Sequence, residues 1–167
     1  MSVVFHEMNH EKFMKEALKE AEEAAKRGDR PIGCVIVHEN RIIARGSNRF
    51  STLDSKIAHA EVLAMHQCAS FLKKYSYDCV LYTTLEPCIM CLTTIVMANI
   101  PYVVFGCHDR YFQLDKFIQA NPYIEKRIKA YKGGVLADES YQLIHTYYPE
   151  MAELISTGKK PLGYGRK

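Results

Sequence analysis

The chain contains no tryptophan, and none of its apolar runs approaches the roughly 18 residues that a membrane-crossing helix needs. Met1 to Glu11 carries charges early and lacks the apolar stretch of a secretory leader. A membrane partner is therefore not expected, and the expected location is the cytoplasm. Neither sign of charge dominates: 22 Lys and Arg stand against 19 Asp and Glu, a net charge of +3. That mild balance permits nucleic-acid contact without arguing for it. Internal repeats and low-complexity stretches are missing too. No second Cys-x-x-Cys pair accompanies the one at Cys88 and Cys91, which speaks against a four-cysteine structural centre.

What is present is the composition of an ordinary globular domain, 48% hydrophobic and 25% charged over 167 residues. One domain is expected over residues 1–157. A basic tail, 158–167, carries Lys159, Lys160, Arg166 and Lys167 and is expected to be mobile. Apolar spacing predicts a helix over His10–Arg27, stopped by Gly28. Ile32–Val37 and Arg41–Arg45 read as a hairpin turning at His38, Glu39 and Asn40. His59–Leu72 reads as one helix with Val62, Leu63, His66 and Ala69 on its face. Val80–Thr83 is a buried strand, and Pro87 opens a helix running to Ala98. Tyr102–Phe105 is a further strand, and Phe112–Pro122 a short helix between loops. Arg127–Tyr131 is an edge strand, and Leu136–Ile155 a last helix broken near Pro149. Strands alternating with helices imply an α/β sheet covered on both faces, and the opening hairpin makes the sheet mixed.

Two segments carry chemistry, His59-Ala60-Glu61 and Pro87-Cys88-Ile89-Met90-Cys91, each at a strand-to-helix entry. Cys88 and Cys91, three apart, share a helix face. Two thiolates and an imidazole supply three ligands for a tetrahedral Zn2+, leaving the fourth position for water. Glu61 beside that water can act as general base and then general acid. Taken alone, the cysteines fit a redox pair or half of a structural zinc site, but those readings leave His59 and Glu61 unexplained. Cys34, Cys68, Cys79 and Cys107 read as packed thiols rather than as a disulfide framework.

With Pro31–Val37, Gly46-Ser47-Asn48-Arg49, Thr83–Cys88 and Val104-Phe105-Gly106, these motifs resemble the cytidine deaminase-like superfamily of nucleobase, nucleoside and tRNA-adenosine deaminases. The resemblance runs from about Phe13 to Leu154 and follows the H-x-E…P-C-x-x-C pattern of zinc deaminases. It implies a three-layer α/β/α sandwich around a mixed, about five-stranded sheet. It implies one zinc per chain on His59, Cys88 and Cys91, Glu61 as proton shuttle with a zinc-bound hydroxide, and a homodimer. It also implies substrate contacts from the Asn48 side chain and the Ala60 backbone N–H.

Substrate class rests on the segment after Gly106. Phe105–Asp109 and Gly134–Glu139 look like tRNA adenosine deaminases, but Arg110–Phe117 replaces their Lys-Thr-Gly-Ala loop. Ser55–Ala58 stands where they carry Asp-Pro-Thr. Phe112 or Phe117 can stack on or cap a base, and Asp109 or Asp115 can accept from its amino or ring N–H. The expected substrate is therefore a small molecule, a free nucleobase or nucleoside of guanine, isocytosine or cytosine type. The alternative is deamination of a tRNA wobble adenosine, and a remote alternative is a catalytically silent binding subunit.

Overall fold

A computed structural model describes residues 4–164; Arg166 and Lys167 of the basic tail lie outside them. The first helix, α1 (His10–Lys26), starts where the Asn9 side chain accepts the Lys12 N–H at 3.0 Å. Phe13, Met14, Ala17, Ala21 and Ala24 form its buried stripe, and Gly28 leaves it with φ +82°. β1 (Gly33–His38) then turns into β2 (Arg41–Ser47) through Glu39 and Asn40, both left-handed at φ 48° and 57°. That two-residue turn matches the twist of an antiparallel hairpin.

β3 (Cys79–Leu85) pairs antiparallel with β1, whereas β4 (Tyr102–Cys107) and β5 (Ala130–Lys132) continue in parallel. The result is one mixed five-stranded sheet in the order β2-β1-β3-β4-β5. Alternate strand residues feed two clusters. Val35, Val37, Val80, Tyr82 and Val104 pack with Phe13, Met14 and Ala17 of α1. Cys34, Ile36, Leu81 and Val103 pack with residues of α2 (Ala60–Gln67) and α4 (Ile89–Met97). The expected α/β sandwich on a mixed five-stranded sheet is what the chain forms.

Local boundaries differ from expectation in three places. The helix expected over His59–Leu72 is two, α2 and α3 (Ala69–Tyr75), because Cys68 at φ −112° and ψ 25° leaves the helical path. The buried face of α2 is Ala60, Glu61, Ala64 and Met65, and not the stripe through Val62 and His66. Its cause is Gly46: a Cβ there would run into the Ala60 carbonyl and Ala64. Only small side chains fit where the helix comes this close to β2, so Val62 and Leu63 lie off the contact, half-buried. Pro87 precedes the N-cap Cys88 instead of occupying the first turn of α4.

Later elements follow the predicted order. The short helical region is α5 (Leu114–Gln119) and α6 (Pro122–Glu125). The last helix is indeed broken, into α7 (Ala137–Tyr147) and α8 (Pro149–Thr157). Among the described residues no helix is long and apolar enough to cross a membrane. All six cysteines are free thiols.

Gly46→Ala is expected to cost about 2 kcal/mol or more, since overpacking a tight contact costs ~1–3 kcal/mol. Because α2 begins at His59, metal occupancy should fall with it. Denaturant unfolding and metal analysis of the purified variant check both.

Candidate active site

α2 and α4 start beside one another, and each start is an extended residue capable of holding a metal. His59 is the N-cap of α2 (ψ 150°) and Cys88 the N-cap of α4 (ψ 171°). Cys91 lies one turn into α4. His59 Nδ1 sits 3.6 Å from Cys88 Sγ and 3.4 Å from Cys91 Sγ. The three ligand atoms all lie within 4.8 Å of one another. Two soft sulfurs and an imidazole suit zinc better than magnesium or calcium, which take oxygen ligands. Two thiolates also balance the 2+ charge, and the two helix N-termini add positive potential that favours them.

The electrostatics agree. The hydrogen bond from Cys91, assisted by His59, pulls the Cys88 thiol down to about 4, while the same pairing and burial push Cys91 up. His59 is raised above its ordinary value, chiefly by its hydrogen bond with Cys88. Glu61, on the first turn of α2, is 3% exposed. Burial raises its carboxyl above the usual range, opposed by the charge of His59, and Thr83 Oγ1 donates to its Oε1 at 3.2 Å. Burial thus makes this carboxylate a stronger proton acceptor than an exposed one. The Ala60 N–H belongs to the same first turn, whose amides have no helical acceptor.

Asn48 is 1% exposed at the end of β2. Its Oδ1 accepts the Phe50 N–H at 3.0 Å, so the side chain offers a ligand its NH2 as donor more readily than its oxygen. The loop that follows is anchored by Asp29, a fully buried carboxylate absent from the sequence expectations. Asp29 accepts from Ser51 N, Thr52 N and Thr52 Oγ1, each at 2.9 Å, and from Arg27 Nε at 3.3 Å. Arg27 Nη2 also donates to the Asn48 carbonyl at 3.0 Å and to Ser47 Oγ at 2.9 Å. Burial alone would raise Asp29, but these donors outweigh it and hold the carboxyl below its ordinary value.

On the other flank the organising carboxylate is Glu86, two residues before Cys88 and likewise unforeseen as a contact. It accepts from Asp109 N at 2.8 Å and Tyr131 OH at 3.1 Å, with His108 Nδ1 3.5 Å away. Asp109 is buried and raised to about 6 by that burial, against the Tyr111 N–H that its Oδ1 accepts at 2.8 Å. Asp109 and Asp115 line one cleft of about 510 Å³ together with Glu86, His108 and Tyr131. Phe112 does not line it; the ring is half-buried, edge-on to Tyr111 with centroids 5.0 Å apart. The sequence signal for Glu86 was its place in Leu85-Glu86-Pro87-Cys88; nothing local marked Asp29.

Residues 7–107 match the family model described as the cytidine and deoxycytidylate deaminase zinc-binding region. The chain belongs to this deaminase family. As a member it is a hydrolase of C–N bonds, and zinc is its cofactor. The deaminase is 34% identical over 145 residues to a tRNA-specific adenosine deaminase of Streptococcus pyogenes serotype M1, covering 84% of each chain. A solved tRNA:A34 deaminase superposes with a TM-score of 0.71 at 32% identity, over 79% of this chain and 98% of that one. A guanine deaminase from Bacillus subtilis is 42% identical, but over 59% of this chain and 64% of its own, with a TM-score of 0.54.

These findings correct the expected substrate. The free-base and nucleoside reading gave the replaced Arg110–Phe117 loop more weight than the remaining fold. The likeness to tRNA adenosine deaminases instead runs through most of both chains, 84% of each for the Streptococcus pyogenes protein.

Cys88→Ala is expected to lose stoichiometric zinc, read by metal analysis after gel filtration. Asp29→Asn should speed hydrogen exchange at Ser51 and Thr52. It should also remove a stabilising contribution that is present above the ordinary carboxylate pKa and is lost as pH falls through the depressed native value. Urea midpoints measured against pH check the second effect.

Proposed function

We propose that this deaminase converts an adenosine at the wobble position of a tRNA to inosine. The observation that carries the reading is the co-linear match to the Streptococcus pyogenes tRNA-specific adenosine deaminase over 84% of each chain. The superposition on a tRNA:A34 deaminase supports it.

Zinc held by His59, Cys88 and Cys91 supplies a Lewis acid that acidifies water at the site. Glu61 moves the protons. Its carboxylate takes one from the water that adds to the amine-bearing ring carbon and passes it to the adjacent ring nitrogen. It then takes the second proton, from the added hydroxyl as the carbonyl forms, and delivers it to the departing amino group, which leaves as ammonia. The burial of Glu61 supports this role, because it makes the carboxylate a better proton acceptor than an exposed one. The Ala60 N–H and the Asn48 side-chain NH2 orient the base edge, and Asp109 closes the site on the far flank. The active unit is a homodimer; the exposed Met97 and Tyr77, 67% and 62% accessible, give it apolar surface.

The test is ammonia release and inosine formation on an anticodon stem-loop bearing a wobble adenosine, run beside free guanine, cytosine and adenine. Turnover of the stem-loop is the expected outcome. Turnover of a free base with an inert stem-loop overturns the proposal. Glu61→Ala should keep its zinc and lose turnover by at least the ~10²–10⁴-fold that acid–base catalysis contributes.

A further inference from the structure

Two aromatic–cation pairs stand on opposite flanks of the zinc ligands, and each is built in the same way. On one side, Asn48 Oδ1 accepts the N–H of the residue two positions on, Phe50, at 3.0 Å. The Arg30 guanidinium lies 4.1 Å from the Phe50 ring centroid. On the other side, Asp109 Oδ1 accepts the N–H of Tyr111, again two positions on, at 2.8 Å. Lys160 Nζ lies 5.7 Å from the Tyr111 ring centroid. Both loops are rooted next to the metal ligands. The Arg49 N–H donates to the Ala58 carbonyl just before His59, at 3.0 Å. The Asp109 N–H donates to Glu86, two residues before Cys88, at 2.8 Å. One helix, α8, ties the two loops together: the Tyr148 hydroxyl at its start donates to the Gly28 carbonyl at 2.7 Å, and the Ile155 carbonyl near its end accepts the Arg110 N–H at 2.9 Å, so the two pairs frame one mouth.

All four side chains keep some exposure: Arg30, Phe50 and Tyr111 are half-buried and Lys160 is exposed. A ring with a cation beside it is a poor feature for a small, enclosed base, which the metal site already accommodates. It suits a single-stranded nucleotide, whose base stacks on the ring while its phosphate meets the cation.

We infer that the Phe50–Arg30 and Tyr111–Lys160 pairs grip the two nucleotides flanking the target adenosine, one on each side. The inference rests on the tRNA reading above and extends it from the reacting base to its neighbours. The two turns thereby tie recognition to chemistry. The residue that positions the base, Asn48 or Asp109, also fixes the ring on which the next base stacks. The basic charge that matters for RNA is then Arg30 and Lys160, at the mouth.

The test measures binding of a labelled anticodon stem-loop to zinc-loaded Glu61→Gln protein, which holds substrate without turning it over. The hairpins are intact, or abasic at the nucleotide 5′ or 3′ of the wobble adenosine. Phe50→Leu and Tyr111→Leu keep an apolar side chain in place. Each is expected to weaken the intact hairpin by about 5- to 150-fold, the span of one base–aromatic stack. Neither should add any loss on the hairpin that is abasic at its own neighbour, because the partner base is already gone. Lys160→Gln should lower the slope of log affinity against log salt by about 0.7, one single-strand phosphate contact. Equal loss on intact and abasic hairpins, or no loss on either, overturns the inference while leaving the tRNA reading standing. Failure of the Glu61→Gln protein to bind any hairpin overturns both.

Discussion

Three ligand atoms from two helix starts must meet within 4.8 Å, and the approach of α2 to the sheet decides whether they do. Gly46 lets the Ala60 carbonyl and Ala64 settle directly on β2. That contact sets the height of the whole helix, and with it the place of His59 at its start and of Glu61 on its first turn. A fully buried turn of alanines is a weak source of hydrophobic energy compared with leucines. Its value here lies in a short, rigid distance between strand and helix. α4 brings Cys88 and Cys91 from the other side, after a β3 whose residues are all buried. The metal site is therefore set by two helix starts placed side by side, one directly after β3 and one where α2 rests on β2.

Around this centre the polar work is done by buried carboxylates that hold backbone amides. Asp29 gathers the loop between β2 and α2, and Glu86 gathers the segment after β4 together with Tyr131 of β5. Each carboxylate is shielded from water but surrounded by donors, the condition under which burying a charge is tolerable. Both stand outside the reacting set. They keep the loops that meet substrate at fixed positions relative to the zinc ligands. Burial with few donors of its own raises Asp109 to about 6 beside the charge of Glu86, whereas the several donors around Asp29 lower it.

Much of this was legible in the residues. Period-2 and period-3.6 patterns gave the order of strands and helices, and the left-handed pair Glu39–Asn40 made the hairpin turn readable. His59, Glu61, Cys88 and Cys91 were legible because a metal centre restricts residue type and spacing more tightly than packing does. Asp29 was not, since its partners Ser51 and Thr52 are more than twenty positions away and a single aspartate after a helix looks like any turn residue. The face of α2 was misread because apolar size suggested Val62 and Leu63, whereas the contact distance demanded Ala60 and Ala64. Substrate was misread because the replaced Arg110–Phe117 loop and the mild net charge were weighed above the likeness that runs through most of the chain. Phe112 rests on Tyr111, and Asp115 stands in the cleft beyond Asp109.

The segment after β4 is fastened at its root by one side chain, Glu86, through the amide of Asp109 and the hydroxyl of Tyr131. The anchor holds a main-chain N–H, which every residue but proline possesses. Beyond that point the loop through Gln113 and Leu114 can change length and sequence without disturbing the bond that fixes its base. Such a joint behaves as a socket: what holds the loop is separate from what the loop presents.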